Sequence, residues 1–260
     1  MESQLRKLHF HRYEFKYTVS GEVADTVLST LENRMERDSH SSSEGSYFVR
    51  SLYFDTASFA YHKQKEDGLQ SRYKFRVRSY SPDPIDPVFL ELKGKQDCLV
   101  YKHRHIMPFN GFPEAMAGGM GKLCSFVMES RGCNGVGRHF VADCFRNRLS
   151  PSVVVDYSRT AFENTANPDF RATIDRNVIA WKAGRDGAPI GAPEDLSPGF
   201  DVLEIKFRYH LPGWFHRLTQ SLELTRVSFS KFYNAGERLW MANTNSQLNR
   251  MVERGRSWPL

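Results

Sequence analysis

Cysteine is scarce and long apolar runs are missing. Four cysteines stand at Cys98, Cys124, Cys133 and Cys144, separated by 26, 9 and 11 residues. That spacing fits no zinc ribbon, CxxC redox motif or disulfide-dense secreted scaffold, so they read as reduced thiols. No purely aliphatic run is longer than Val153–Val155, far short of the ~20 apolar residues that span a bilayer, and no membrane segment is expected. The N-terminal stretch has no apolar core before its first charges, so no secretory signal is expected and the cytoplasm is the expected compartment. Nucleotide fingerprints are missing too. GGMGKL at Gly118–Leu123 lacks the distal glycine and the hydroxyl residue after lysine that a phosphate loop needs, and no dinucleotide motif occurs. Two alternating histidine pairs, His9/His11 and His103/His105, are read as exposed strand side chains rather than metal ligands.

What is present is core material and positive charge. With 260 residues, 40% of them hydrophobic and 13% aromatic, the chain can build one large core, which excludes a disordered or collagen-like protein. Its 36 Lys+Arg against 30 Asp+Glu give a formal charge of +6, so an anionic partner is the first class to consider. Period-2 alternation predicts about eight strands, at roughly 10–18, 47–55, 73–80, 88–95, 99–107, 152–160, 170–181 and 200–209. Helical spacing fits 21–37, 56–66, 137–149, 212–224 and 231–253, and Asp38–Ser46, Ser81–Pro87, Asn110–Gly121 and Gly184–Gly199 read as loops. No interdomain linker interrupts this α+β pattern, so residues 1–260 are expected to form a single domain.

Residues two apart on a strand share a face, and the polar faces are alike. Arg12, Glu14 and Lys16 alternate with Tyr13, Phe15 and Tyr17; Lys74, Arg76 and Arg78 with Tyr73, Phe75 and Val77; Glu91, Lys93 and Lys95 with Leu90 and Leu92; Glu204, Lys206 and Arg208 with Leu203, Ile205 and Phe207. Arg159, Arg171 and Asp175 extend the set. An ordinary solvent face mixes Ser, Thr, Gln and both signs of charge, whereas these faces are mostly Lys and Arg. At ~4 Å and an effective dielectric of ~20, a pair of like charges costs roughly 4 kcal/mol, so such an array calls for a polyanionic ligand and fixed carboxylates. The expected fold is a closed eight-stranded antiparallel β tunnel, charged inside, with the helices packed on its apolar outside.

In order, RYEFKY, VRSLYFDT, KFRVRSY, FLELKGK, VVDYSRTAF, FRATIDRN, VLEIKF, LPGW and SFSKF resemble the VTC domain, the polyphosphate polymerase branch of the triphosphate tunnel metalloenzymes, over residues 12 to 233. The resemblance implies transfer of the terminal phosphoryl group of ATP, or of another triphosphate, onto inorganic polyphosphate, with Mn2+ or Mg2+. It implies catalytic roles for Arg76, Arg78, Lys93, Arg159 and Arg171 and substrate binding by Lys16, Lys206, Ser230 and Lys231. It makes Glu204 the metal ligand, with Glu14 and Glu91 as supporting carboxylates. Two positions depart from the pattern. Arg12 replaces the first Glu of the Glu-x-Glu-x-Lys opening of the hydrolytic branch, and Ser228 stands where many polymerase members carry a basic residue, with Arg226 nearby as a replacement. The rival readings are a tripolyphosphatase or nucleoside triphosphatase, and a non-catalytic polyphosphate-binding module. Specific nucleic-acid binding is not expected, because the alternating cations come without an exposed stacking platform. The oligomeric state is left open.

Overall fold

The structure, a computed structural model, describes residues 12–38, 45–82, 87–97, 99–164 and 167–241. Ten antiparallel strands form one sheet: β1 (Tyr13–Val19), β2 (Glu36–Arg37), β3 (Tyr47–Asp55), β4 (Ser71–Ser79), β5 (Val88–Gln96), β6 (Leu99–Met107), β7 (Ser150–Glu163), β8 (Arg171–Ala183), β9 (Pro189–Asp195) and β10 (Asp201–Phe207). Eight follow one path, β1-β10-β8-β7-β3-β4-β5-β6, while β2 pairs with β7 and β9 with β8 off that path. The expected count of eight therefore holds for the path and not for the sheet. Closure is not drawn as a ladder either: among the described residues, β1 and β6 meet through an isolated bridge between Arg12 and Val100.

The helices are α1 (Gly21–Glu32), α2 (Ala60–Glu66), α3 (Phe112–Ala117), α4 (Gly119–Glu129), α5 (Gly135–Asn147), α6 (Gly213–Ser221) and α7 (Lys231–Gly236), followed by a π-helical turn at Glu237–Met241. None is long and apolar enough to cross a membrane. Helix α1 starts where Ser20 accepts the Val23 amide and buries Ala24, Val27 and Leu31, the spacing of one helix face. It ends at Glu32 rather than 37, because Glu36 and Arg37 pair with Glu163 and Phe162 of β7. Helix α2 starts at Ala60, four residues later than expected, where the Asp55 carboxylate accepts the Tyr61 and His62 amides at 2.9 and 3.0 Å. The loop expected at Asn110–Gly121 is instead helical over most of its length. Burial of Met116, Leu123, Cys124 and Val127 overrides the helix cost of the intervening glycines, and Gly119 takes φ +83° to reverse the chain between α3 and α4.

Alternation places the apolar strand faces under these helices. Phe75 packs on Phe140 of α5, 5.3 Å between centroids, and Phe162, Ile174 and Ile205 share a second cluster with α1 and Phe215 of α6. Of the C-terminal helix expected over 231–253, the described residues comprise α7 and the π turn; Leu248 and Met251 lie outside the described residues. Leu239 is buried and belongs to the main core, and the Trp240 ring lies 5.4 Å from Phe59 and 4.2 Å from the Lys182 ammonium. Truncation after Arg238 is expected to lower Tm by about 5 °C or more, the consequence of losing a buried leucine. An unchanged Tm contradicts this packing role.

Candidate functional site

Opposite that apolar face lies the charged one, assembled by register. Arg76 stands opposite Glu91 and Glu91 opposite Arg104, while Lys74, Lys93 and Lys102 form a row across β4, β5 and β6. Lys16 is opposite Glu204, Glu14 opposite Lys206, and Lys206 opposite Arg171. Lys102 is about half exposed, but the central cations do not point into bulk solvent. Arg76 and Arg78 are 8% and 5% exposed, and the Lys93 and Lys206 side chains keep only about a quarter of their surface.

Three carboxylate hubs organise the site. Glu91, wholly buried, receives Nε and Nη2 of Arg76 on one oxygen at 2.8 and 2.6 Å, and Nε and Nη2 of Arg104 on the other at 2.9 and 2.6 Å. Burial raises its pKa, but Arg76, Arg78, Lys102 and Arg104 more than offset this and hold it well below the usual carboxylate range. Asp175, also wholly buried, takes Arg159 on both oxygens at 2.6 and 2.8 Å and the Lys231 ammonium as a further partner. The third hub is a pair: Lys16 lies 3.1 Å from both Glu14 and Glu204, with Lys93 on Glu14 at 3.0 Å and Lys206 on Glu204. Burial and the adjacent Glu204 raise the Glu14 pKa, yet Lys93, Lys16 and Lys206 bring it down to about 2. Glu204 is lowered likewise against burial by Lys16, Lys206, Lys93 and Arg159. Both are therefore ionised at neutral pH.

The structure gathers Lys16, Arg76, Arg78, Lys93, Arg159, Lys206, Ser230 and Lys231 on or against this face. Arg78 donates to the Tyr157 hydroxyl at 2.9 Å and to Ser51 at 3.3 Å, its nearest carboxylate, Glu91, being 4.0 Å away. Ser230 caps α7 through the Tyr233 amide and accepts from Lys74 at 3.2 Å. Arg171 lies at the rim, engaged by Asp38 and by Glu163 at 2.9 Å. The sequence reading put Lys74 on the charged face but gave it no role in the site, and it left out Lys102 and Arg104. The last two lie at even positions of a segment whose odd positions carry His103 and His105, and the even-numbered face is the charged one. His105 is not exposed as expected: it is buried on the other face, 2.6 Å from the Ser130 hydroxyl, because the odd positions of β6 face the helices. Cys124, Cys133 and Cys144 are free thiols, and Cys98 lies outside the described residues.

Cations far outnumber carboxylates here, and some have no acid to answer them. Among the described residues no carboxylate lies within ion-pair reach of Lys74. Burial lowers its pKa strongly, and Lys93, Lys16 and Arg76 add to the shift. Burial, Arg72 and Lys16 bring Lys65 down to about 8. An arriving phosphate reverses the sign of that field, so triphosphate binding at pH 8 should take up protons. Calorimetric titration in buffers of different ionisation enthalpy measures this, and a binding enthalpy independent of buffer contradicts it.

For a metal, the donor chemistry fits at Glu14 and Glu204. They offer two ionised carboxylates sharing one lysine, and a hard ion such as Mg2+ binds through one or two carboxylates and completes its shell with water and phosphate oxygens. No group of three or more His, Cys, Asp or Glu side chains suited to a metal gathers among the described residues. Glu91 fits less well, since two guanidinium forks occupy both its oxygens.

The comparisons agree with this architecture. A family model for the VTC domain matches residues 11–240. No curated protein matches the chain. Among solved structures, a protein from Bacillus halodurans provisionally assigned as an adenylate cyclase is 14% identical, covering 88% of this chain and 97% of its own, with a TM-score of 0.51. A Hippeastrum protein, provisionally assigned as an adenylyl cyclase and described as having a dominant triphosphatase activity, is 12% identical, covering 88% and 95%, with a TM-score of 0.54. These likenesses establish a shared fold.

Proposed function

Because the chain belongs to the VTC domain family, we propose that it transfers the terminal phosphoryl group of ATP, or of a related triphosphate, onto inorganic polyphosphate within a basic channel. The observation that carries this reading is the row Lys74, Lys93 and Lys102 set directly opposite one another. Three lysines in adjacent register repel one another when charged. Burial, together with the neighbouring cations, holds Lys74 well below the ordinary lysine range and Lys102 down to about 7, and a chain of phosphates is the ligand that makes their charged forms favourable. Contacts that span the ends of the strand path, Arg12 with Val100 and Lys93 with Glu14, support closure of this face into a tunnel.

Phosphoryl transfer asks little covalent help of a protein. It asks for alignment and for neutralisation of charge on the transferred group. Arg78, with free donor capacity beside Tyr157 and Ser51, grips the triphosphate through its planar fork, while Arg76 and Arg159 are aimed by Glu91 and Asp175. Arg171 receives the phosphates at the rim. Lys16, Lys93, Lys206 and Lys231, with the Ser230 hydroxyl, supply point charges and a hydrogen bond along the path. Glu204, with Glu14 beside it, would hold Mn2+ or Mg2+, which when bound neutralises and aligns phosphate oxygens; Glu91 serves as a counter-ion. Glu14 and Glu204 together offer a hard metal two ionised carboxylates, which a passive polyanion binder does not require. Burial of Arg76, Arg78 and Glu91 likewise argues against specific nucleic-acid recognition, although the exposed Tyr80 ring corrects the expectation that this face lacks an exposed aromatic.

The second reading is hydrolysis of tripolyphosphate or a nucleoside triphosphate, favoured by the likeness to the Hippeastrum protein. Product length separates the two. The grip itself is tested by Arg78→Lys, which keeps charge and loses the fork. It should lower kcat about tenfold or more with a smaller rise in KM. Unchanged phosphate transfer in this variant contradicts the assignment of Arg78.

A further inference from the structure

Phosphates need cations, but the Arg104 end of the charged face also carries something phosphates do not need. Tyr47, Tyr80 and Phe89 form an edge-to-face chain there, with centroids 5.8 and 5.6 Å apart. Ile106, opposite Phe89 in register, is 58% exposed and Tyr80 37%. Core packing does not account for apolar groups left in water beside a cluster of buried charges. Arg104 ties the two together. Its guanidinium lies 4.3 Å from the Phe89 ring centroid, donates to the Tyr80 hydroxyl at 3.1 Å and is anchored on Glu91, while 31% of the side chain stays open to solvent. At the Lys74 end the aromatic side chains Phe229, Phe232 and Tyr53 are buried instead.

The geometry points to a nucleobase ledge: Tyr80, Phe89 and Arg104, with Ile106 at the margin, receive the heterocycle of a nucleoside triphosphate whose phosphates run inward toward Arg78 and Arg76. This rests on the reading of the charged face as a triphosphate site. A planar cation already fixed over an aromatic ring offers its open side to a base without further ordering, and stacking of this kind accepts any base because every base has a π-face. The ledge therefore distinguishes a triphosphate that carries a base from one that does not, with little choice among bases. It also sets the direction of binding, with the nucleoside outside at the Arg104 end and the phosphates within.

The test is equilibrium binding of ATP and of inorganic tripolyphosphate to the full chain, in the wild type and in Tyr80→Ala, Ile106→Ala and Tyr80→Phe, with folding checked by thermal melting. Wild type should bind ATP more tightly than its triphosphate charge alone provides. Tyr80→Ala should raise the Kd for ATP about tenfold while leaving that for tripolyphosphate within about twofold. Ile106→Ala should act in the same direction more weakly, and Tyr80→Phe, which keeps the ring, should retain most of the preference. Equal weakening of both ligands, no weakening of ATP, or a Tyr80→Phe variant as impaired as Tyr80→Ala overturns the ledge. A wild type that binds neither ligand overturns the triphosphate site as well. Because binding alone is read, a hydrolytic product in a separate assay would defeat the polymerase reading and leave the ledge standing.

Discussion

Glu91→Ala is expected to cost the fold about 3–5 kcal/mol, because it removes one partner of a buried ion cluster and leaves the others uncompensated. Arg76 loses both of its bonds to the carboxylate, Arg104 loses both of its own, and Lys102 loses the acid 3.8 Å away. Arg76, 8% exposed, keeps only the Tyr53 hydroxyl at 3.2 Å, which carries no charge to balance its own. The measurement is chemical denaturation at neutral pH, and a loss below about 1 kcal/mol contradicts the hub. Acid should act on the same network by linkage. Glu91, Glu14 and Glu204 all have folded pKa values below their unfolded ones, so their contribution is full above about pH 4.5. It is lost as pH falls through the folded values, for Glu14 toward about 2. Tm should decline across that window, and a flat profile from pH 5 to about 2.5 contradicts the assignment.

Glu204→Gln should give the opposite pattern, with a small effect on stability and a large one on turnover. Lys16 keeps Glu14 at 3.1 Å and its bond to the Phe229 carbonyl at 3.0 Å, and Lys206, which loses its Glu204 charge partner, keeps a quarter of its side chain in solvent and can still bond to the glutamine oxygen. Glutamine offers a hard divalent ion only a neutral oxygen, and losing a metal-stabilised charge in the transition state corresponds to several kcal/mol. Metal-dependent turnover should fall about 100-fold or more, equivalent to roughly 2.7 kcal/mol, with Tm within a few degrees of wild type. Near-normal turnover removes Glu204 from the site. Turnover lost together with the fold makes Glu204 a structural anchor like Glu91.

The strands were legible because alternation is strict wherever one face is apolar and the other charged: β3 and β6 were expected with the bounds they have, and β5 within one residue. The elements that escaped lack that contrast. β9, with two prolines and a glycine in seven residues, has no apolar–polar alternation and is mostly exposed, β2 is two residues long, and α3 and α4 sit among glycines whose helical state is set by tertiary burial. The site was half legible. Parity puts Arg76, Arg78 and Lys93 on one face, but nothing in the sequence sets the register that brings Glu91 between Arg76 and Arg104. Nor does spacing reveal that Asp175 fixes Arg159, or that Lys74 meets Ser230 across 156 residues. Those are consequences of strand pairing between distant segments, which follows from the whole sheet.

The central claim, that this charged face elongates polyphosphate from a triphosphate, is tested most directly by incubating the purified protein with γ-labelled ATP and Mn2+ and resolving the products by gel electrophoresis. The account predicts a ladder of labelled chains longer than three phosphates, made by wild type and reduced about tenfold or more in Arg78→Lys. Labelled orthophosphate as the only product contradicts it and identifies the protein as a triphosphatase.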